Sequence, residues 1–426
     1  MEKMMHWIER YAMPVAGKVS QSRYLNAMKD GFAYAIPFLL TGSFVLLLLN
    51  LPLTDPSNFL YMEWYTDWVV EARAKYMQPF YVSMGIMTLF IAFGIGSSLS
   101  ASYGLHNITG GFLAMFSFLL VAAPVEQGAM SVSYLDAKGI FTAILTAIIS
   151  VHVLRICVQK GITIKLPPSV PPAIAKSFEL IVPVAIVIVL LHPINLMIDA
   201  ATDGAVTLLP ELIITVLQPL VVVSDSLPAL LMAVFFVQVL WVAGINGGTI
   251  VLSVLTPFLF ANLQVNQDAI LAGEEASRIF VAGFWDYFIF MGGAGCTFSL
   301  ACVMAFWSKN SHLRTIGRLS IVPGMFNINE PLIFGTPMVM NPVLFIPFIF
   351  IPMINATIAW FATTSGLVGN VVTLLPWTTP APLGAFLATN LGTTALLLSI
   401  TLIITSVLMY LPFVRMYEKT LEEQAA

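Results

Sequence analysis

The residues best placed to do chemistry stand in "MFNINEPLIFGTP" (Met325–Pro337), where Glu330 lies between Asn327, Asn329 and Pro331 in an otherwise apolar run. An ionised carboxylate at the bilayer centre costs several kcal/mol, so Glu330 must face a wet cavity or a partner. Pro331 disfavours helical geometry at the residue before it, and Pro337 repeats the break. "NINEP" therefore reads as a re-entrant tip or an unwound helix end. Two roles are open for the carboxylate. In one it caps a helix or sits in a loop, satisfied by Asn327 and Asn329. In the other it is a ligand site, because a carboxylate flanked by amides can accept and donate several hydrogen bonds to vicinal hydroxyls. That chemistry suits a sugar better than an inorganic ion.

A second interruption is "FFVQVLWVAGINGGTIV" (Phe235–Val251), with Gln238, Trp241, Asn246 and three glycines. In hydrocarbon every backbone polar group must be paired, so irregular chain at that depth lines a cavity or is buried in protein. Interrupted apolar segments point to a transport site. A third is "PWTTPAPLGAFLATN" (Pro376–Asn390). There Trp377 is either a platform for a sugar's apolar face or an interface anchor. Asp286 in "FWDYFIFMGGAG" is either a site residue or a helix cap.

The elements that position these residues follow from composition. The chain is 58% hydrophobic and 9% charged, with a mean hydropathy of +0.91, against roughly 25% charged residues in ordinary globular chains. Continuous apolar runs such as Gly31–Leu51, Pro79–Ser98, Glu179–Ile198 and Pro342–Thr363 are long enough to cross about 30 Å of hydrocarbon. They exclude a β-barrel, whose strands alternate over roughly ten residues. The fold expected is an all-α polytopic membrane protein of about ten spans. The net charge of −4 identifies no partner and does not suggest nucleic acid. Cys157, Cys296 and Cys302 lack ligand spacing and read as small hydrophobes. The scattered histidines suggest no metal site, and no cofactor is expected.

Basic residues cluster at Lys3–Lys29, at Arg155, Lys160, Lys165 and Lys176, at Lys309, Arg314 and Arg318, and at Arg415 and Lys419. By the positive-inside rule these mark the cytoplasmic face and place both termini there. The acidic segment Asp55–Lys75, with Trp64 and Trp68, reads as an outer loop, and Gln264–Arg278 has similar character. The expected organisation is a basic amphipathic segment over 1–30 rather than a cleavable leader, a transmembrane region over 31–220, a substrate-binding transmembrane region over 221–412, and a cytoplasmic tail over 413–426. With so short a tail, any soluble catalytic domain is expected to be recruited as a separate protein.

Laid out in this way, the chain resembles the membrane subunit, enzyme IIC, of bacterial phosphotransferase-system (PTS) sugar transporters, in the lactose/cellobiose/diacetylchitobiose branch. The blocks that carry the resemblance are "IKLPPSVPPAIAKSFELIVP" (Ile164–Pro183), "GRLSIVPGMFNINEPLIFGTPMVMNPVLFIPFI" (Gly317–Ile349), "PWTTPAPLGAFLATN" and "YLPFVRMYEK" (Tyr410–Lys419), in family order. The resemblance implies a homodimer with ten transmembrane helices per subunit and two re-entrant hairpins enclosing a disaccharide. It also implies group translocation, in which a phosphorylated IIB protein, fed by IIA and a phosphocarrier, phosphorylates the sugar. It makes Glu330 the glutamate that holds the sugar, with Gln238, Trp241, Asn246, Asp286, Asn327, Asn329 and Trp377 as further candidate contacts, and turns the Lys309–Arg318 loop towards the phosphoprotein. One departure stands out. The family's Gly-Ile/Val-His-Gly reads "GING" here, with Asn246 in place of the proposed base. An amide cannot take up a hydroxyl proton near neutral pH. Either another group, Glu330 first, fills that catalytic role, or phosphorylation is weakened and the protein is an uncoupled facilitator or sensor.

Overall fold

The computed structural model describes residues 13–54, 56, 61–164, 166–167, 169–171, 178–336, 338, 341 and 343–425. Lys3, Arg10, Asp55, Lys165, Lys176 and Pro337 lie outside the described residues, as does part of the Ile164–Pro183 block. The first half comprises α1 (Met13–Ser20), α2 (Arg23–Leu48), α3 (Glu63–Tyr76), α4 (Gln78–Tyr81), α5 (Met87–Ser102), α6 (Asn107–Ala122), α7 (Ile140–Lys160) and α8 (Ile181–Ala201). Then come α9 (Leu209–Ser224), α10 (Leu227–Val242), α11 (Gly247–Ala272), α12 (Phe284–Phe288) and α13 (Thr297–Trp307). The last are α14 (Ser311–Met325), α15 (Glu330–Gly335), α16 (Phe345–Thr364), α17 (Ala381–Ala388) and α18 (Thr393–Ala425). The one strand pair described, β1 (Val125–Glu126) with β2 (Ala129–Met130), is antiparallel and turns through Gln127 and Gly128, both at positive φ.

Among the described residues seven helices are long and apolar enough to cross a membrane, or eight if α9 and α10, bent by 76° at their break, form one span; α6 and Ala294–Trp307 are shorter apolar helices. This is an all-α polytopic membrane fold. Residues 23–30 are continuous with the apolar helix α2, which begins at Arg23. Asp55–Lys75 is not one loop, because Glu63–Tyr76 is helical; nor is Gln264–Arg278, because α11 runs to Ala272 and stops at Gly273 in the left-handed conformation. A helix carrying polar residues at one end extends past the hydrocarbon without losing its periodic backbone bonds.

Without a hydrophobic drive between helices in lipid, close packing depends on small residues. Gly31 of α2 and Gly94 of α5 show this: a Cβ on Gly94 would fall 2.8 Å from the Gly31 Cα. Helices α5, α6 and α7 continue this packing layer, while α10, α13, α16 and α18 pack around the Ala294–Cys296 turn in the second half. At the far end of α18, Glu418 accepts hydrogen bonds from the Ser308 hydroxyl, from Lys309 N at 2.7 Å and from Asn310 N at 3.1 Å. That carboxylate fixes the terminal helix to the loop that opens α14.

Candidate functional site at the hairpin tips

Three breaks in the helical pattern converge around Asn327. The first is "GGAG" between α12 and α13, where Gly292, Gly293 and Gly295 have φ of 87°, 94° and 80°, all in the left-handed region that glycine enters without penalty. The second is "NINEP", between α14 and α15. The third is the tip Trp377–Pro380 of a hairpin that leaves α16, runs in without helix, and returns as α17; Val372 N and Thr373 N both donate to Ala388 O, closing its base.

Asn327 joins them. Its own φ is 62°, a conformation asparagine tolerates better than most residues. Its Oδ1 accepts from Gly292 N at 2.8 Å, and its Nδ2 donates to Trp377 O at 2.6 Å and Thr379 O at 3.3 Å. Asn329 adds a bond from Nδ2 to Ala294 O at 3.4 Å. A Cβ on Gly293 would sit 2.7 Å from Asn329 Cγ, so only glycine admits the amide there. Both asparagines are buried, and their amides are spent on satisfying irregular backbone, as burial in a membrane requires.

Glu330 is left over. It is exposed, and among the described residues its carboxylate has no hydrogen bond or ion pair. Pro331 does not unwind the chain at Glu330 as expected; Glu330 is the first helical residue of α15 and Pro331 the second. Proline is tolerated there because the first helical N–H groups have no intrahelical partner, and the carboxylate lies favourably at the positive end of the helix. Asn329, at the cap position, makes no capping bond.

The other predicted residues divide. Trp377 is 53% exposed while its carbonyl is held by Asn327, so its ring is free to stack. Trp241 is partly buried against the core. Gln238 is fully buried, and neither of its amide atoms has a hydrogen-bond partner; in this conformation it is closed off from any solute. Asp286 lies among the buried aromatics of α12 and makes no capping bond, the cap position being Gly283. Asn246 caps α11: its Oδ1 accepts from Thr249 N at 2.9 Å. "GING" is thus a tight helix–turn–helix rather than an unwound tip, with Gly244 at φ 80° ending α10 and Gly247 set against the Val237 carbonyl. Arg314 of the basic loop is engaged locally, donating from Nε and Nη2 to Ser308 O, while Lys309 and Arg318 are exposed.

The "GGAG" turn and Thr379 complete the junction and were not singled out from the sequence as site residues. Three glycines within four positions of an apolar run are the signal that could have found the turn. A cavity of about 410 Å³ abuts the junction, lined by Gly292, Asn327 and apolar groups including Met291, Phe298 and Phe386. It supplies walls rather than hydroxyl recognition. A larger cavity of about 750 Å³ lies elsewhere, between the β1–β2 hairpin and α8.

The family model described as "Phosphotransferase system, EIIC" matches residues 29–352. The chain belongs to this family. Among curated relatives, this EIIC is 31% identical to the lichenan permease IIC component of Bacillus subtilis (strain 168), covering 98% of this chain and 94% of the relative. It is 34% identical to the oligo-beta-mannoside-specific EIIC component of the same organism over 98% of this chain and 94% of the relative. It is also 34% identical to the lactose-specific EIICB component of Staphylococcus epidermidis, over 100% of this chain and 72% of that longer protein. The crystal structure of the transporter ChbC, the IIC component from the N,N'-diacetylchitobiose-specific phosphotransferase system, superposes with a TM-score of 0.90 at 34% identity over 99% of both chains. The EIIC is therefore an integral membrane sugar permease of the lactose/cellobiose/chitobiose branch.

Proposed function

We propose that this EIIC binds a disaccharide of the cellobiose, diacetylchitobiose or lactose type at the hairpin tips and carries it across the bacterial inner membrane, with both termini in the cytoplasm. A phosphorylated IIB protein phosphorylates the sugar, with IIA and a phosphocarrier upstream, and the permease works as a homodimer. The observation that carries the site is the Asn327 junction: it spends both asparagines on backbone, holds the Trp377 carbonyl and leaves the Glu330 carboxylate, three residues on, and the Trp377 ring exposed. Relatives named for lichenan, oligo-beta-mannoside, lactose and diacetylchitobiose support the substrate class, and the fused EIICB relatives support the coupling to IIB.

Glu330 holds the sugar hydroxyls by accepting their hydrogen bonds. Phosphoryl transfer depends more on positioning and charge stabilisation than on a strong base, so Asn246 does not by itself abolish coupling. Vesicles supplied with IIB, IIA, the phosphocarrier and phosphoenolpyruvate are expected to accumulate disaccharide phosphate. Free sugar entering at the same rate without the donor would replace coupled translocation by the facilitator reading.

A further inference from the structure

Away from the tips, one basic cluster has no role in the transport reading. Arg23 is the first residue of α2, Tyr103 follows the last residue of α5, and Arg155 lies near the end of α7. These are matching ends of three apolar spans, and so a water–bilayer boundary. Both guanidinium groups converge on the Tyr103 ring, at 4.9 Å and 4.2 Å from its centroid. Among the described residues neither cation has a carboxylate partner. Asp30, the acid further along α2, is taken by Lys29 at 3.5 Å and by the Ser98 hydroxyl at 2.7 Å.

The neighbouring polar groups are satisfied among themselves. His152 Nδ1 lies 2.9 Å from Ile148 O; a carbonyl only accepts, so that nitrogen carries the proton. Nε2 then accepts from the Tyr24 hydroxyl at 3.0 Å, and Tyr24 accepts from the Tyr103 hydroxyl at 3.4 Å. The chain of donors ends on the Ile148 carbonyl and takes up neither guanidinium, so both keep free donors. Next to the cluster in sequence, Ile108 and Phe112 on α6 and Ile156 on α7 expose large apolar surface. A charged clamp at the boundary with apolar side chains beside it matches a molecule with an anionic head and a hydrocarbon tail.

We propose that Arg23 and Arg155 hold the phosphate of an anionic phospholipid headgroup, with its acyl chains along α6 and α7. Guanidinium groups pair with phosphate oxygens through a planar, bidentate fork, and basic residues at a membrane surface select anionic over zwitterionic lipid.

The test is native mass spectrometry of the full chain in detergent, offered phosphatidylglycerol, phosphatidylcholine or inorganic phosphate. The wild type is expected to retain phosphatidylglycerol about tenfold more than phosphatidylcholine. Arg23→Gln with Arg155→Gln is expected to remove that preference, while Arg23→Lys with Arg155→Lys keeps part of it. Equal retention of the two lipids by the wild type overturns the proposal without any variant, as does an unchanged preference in the glutamine pair eluting as the wild type does. Displacement of phosphatidylglycerol by millimolar inorganic phosphate would assign the clamp to a soluble phosphate and overturn the lipid assignment.

Discussion

Glu330 and Asn246 differ in what their side chains are already doing. Glu330 has no partner among the described residues, so Glu330→Gln removes charge without breaking a structural bond. Its expected effect is a sugar affinity at least about tenfold weaker, because hydrogen bonds to a charged group contribute about 1.5–3 kcal/mol, with a stability loss no larger than the helix-end charge contribution of about 0.3–1 kcal/mol. Calorimetry on the purified variant checks both, and near-normal affinity would take Glu330 out of the pocket. Asn246 is committed to capping α11. Asn246→Ala is expected to cost about 1 kcal/mol of stability, the usual loss for a cap. Asn246→His should fold well, because His106 already caps α6 through its Nδ1 to Thr109 N at 3.4 Å in the similar sequence "GLHNIT". Thermal melts compare these two variants. Phosphorylation rates in the reconstituted system then isolate the chemistry, and equal rates for Asn246 and the His variant would show that no base is needed there.

At the scale of elements, the tips act as one unit because Asn327 is shared. Asn327→Ala deletes three hydrogen bonds and leaves alanine at a φ of 62°, where a Cβ-bearing residue without a polar side chain is strained. The expected outcome is a loss of about 2–4 kcal/mol, from unsatisfied buried backbone, together with lost sugar binding even though Glu330 is intact. Binding that survives a clear drop in melting temperature would mean the tips are not held together for the sugar. The sequence made "NINEP" legible because a carboxylate, two amides and a proline in apolar chain are anomalies by residue type alone. It could not show that "GGAG" is the opposing surface, since the meaning of Gly292 and Gly293 lies in residues 35 or more positions away. Gln238 and "GING" mark the same limit: polarity and glycine content flagged a break, but burial of the Gln238 side chain and the capping turn at Asn246 depend on how α10 packs.

Across the whole molecule, polar contacts between the halves gather at one end. Leu374 N donates to Ser43 Oγ at 2.6 Å, Asn390 Nδ2 to Asn50 O at 2.7 Å, and Arg73 Nη2 approaches Ile270 O at 3.5 Å. Beside them Lys138 bridges Asp136 at 3.3 Å and Asp268 of α11 at 3.4 Å. Burial pushes the Asp136 carboxyl above its ordinary range, and the Lys138 ammonium pulls it back in part. A carboxyl raised in the folded state supports folding fully below its unfolded value, and that support is lost as pH rises through the folded value. Lys138→Met removes the restraining charge, so the Asp136 pKa should climb further. At pH 5 the deficit against the wild type should be smaller than at pH 8, because a larger share of Asp136 is protonated there and the half-exposed pair with Asp268 contributes only about 0–1 kcal/mol. At pH 8 the variant must ionise Asp136 without its partner, and the deficit should grow by about 1 kcal/mol or more. Melting curves of both proteins at the two pH values check the sign. A deficit that is equal at pH 5 and pH 8 would show that Lys138 does not govern Asp136, and that the bridge to Asp268 alone joins the halves at this point.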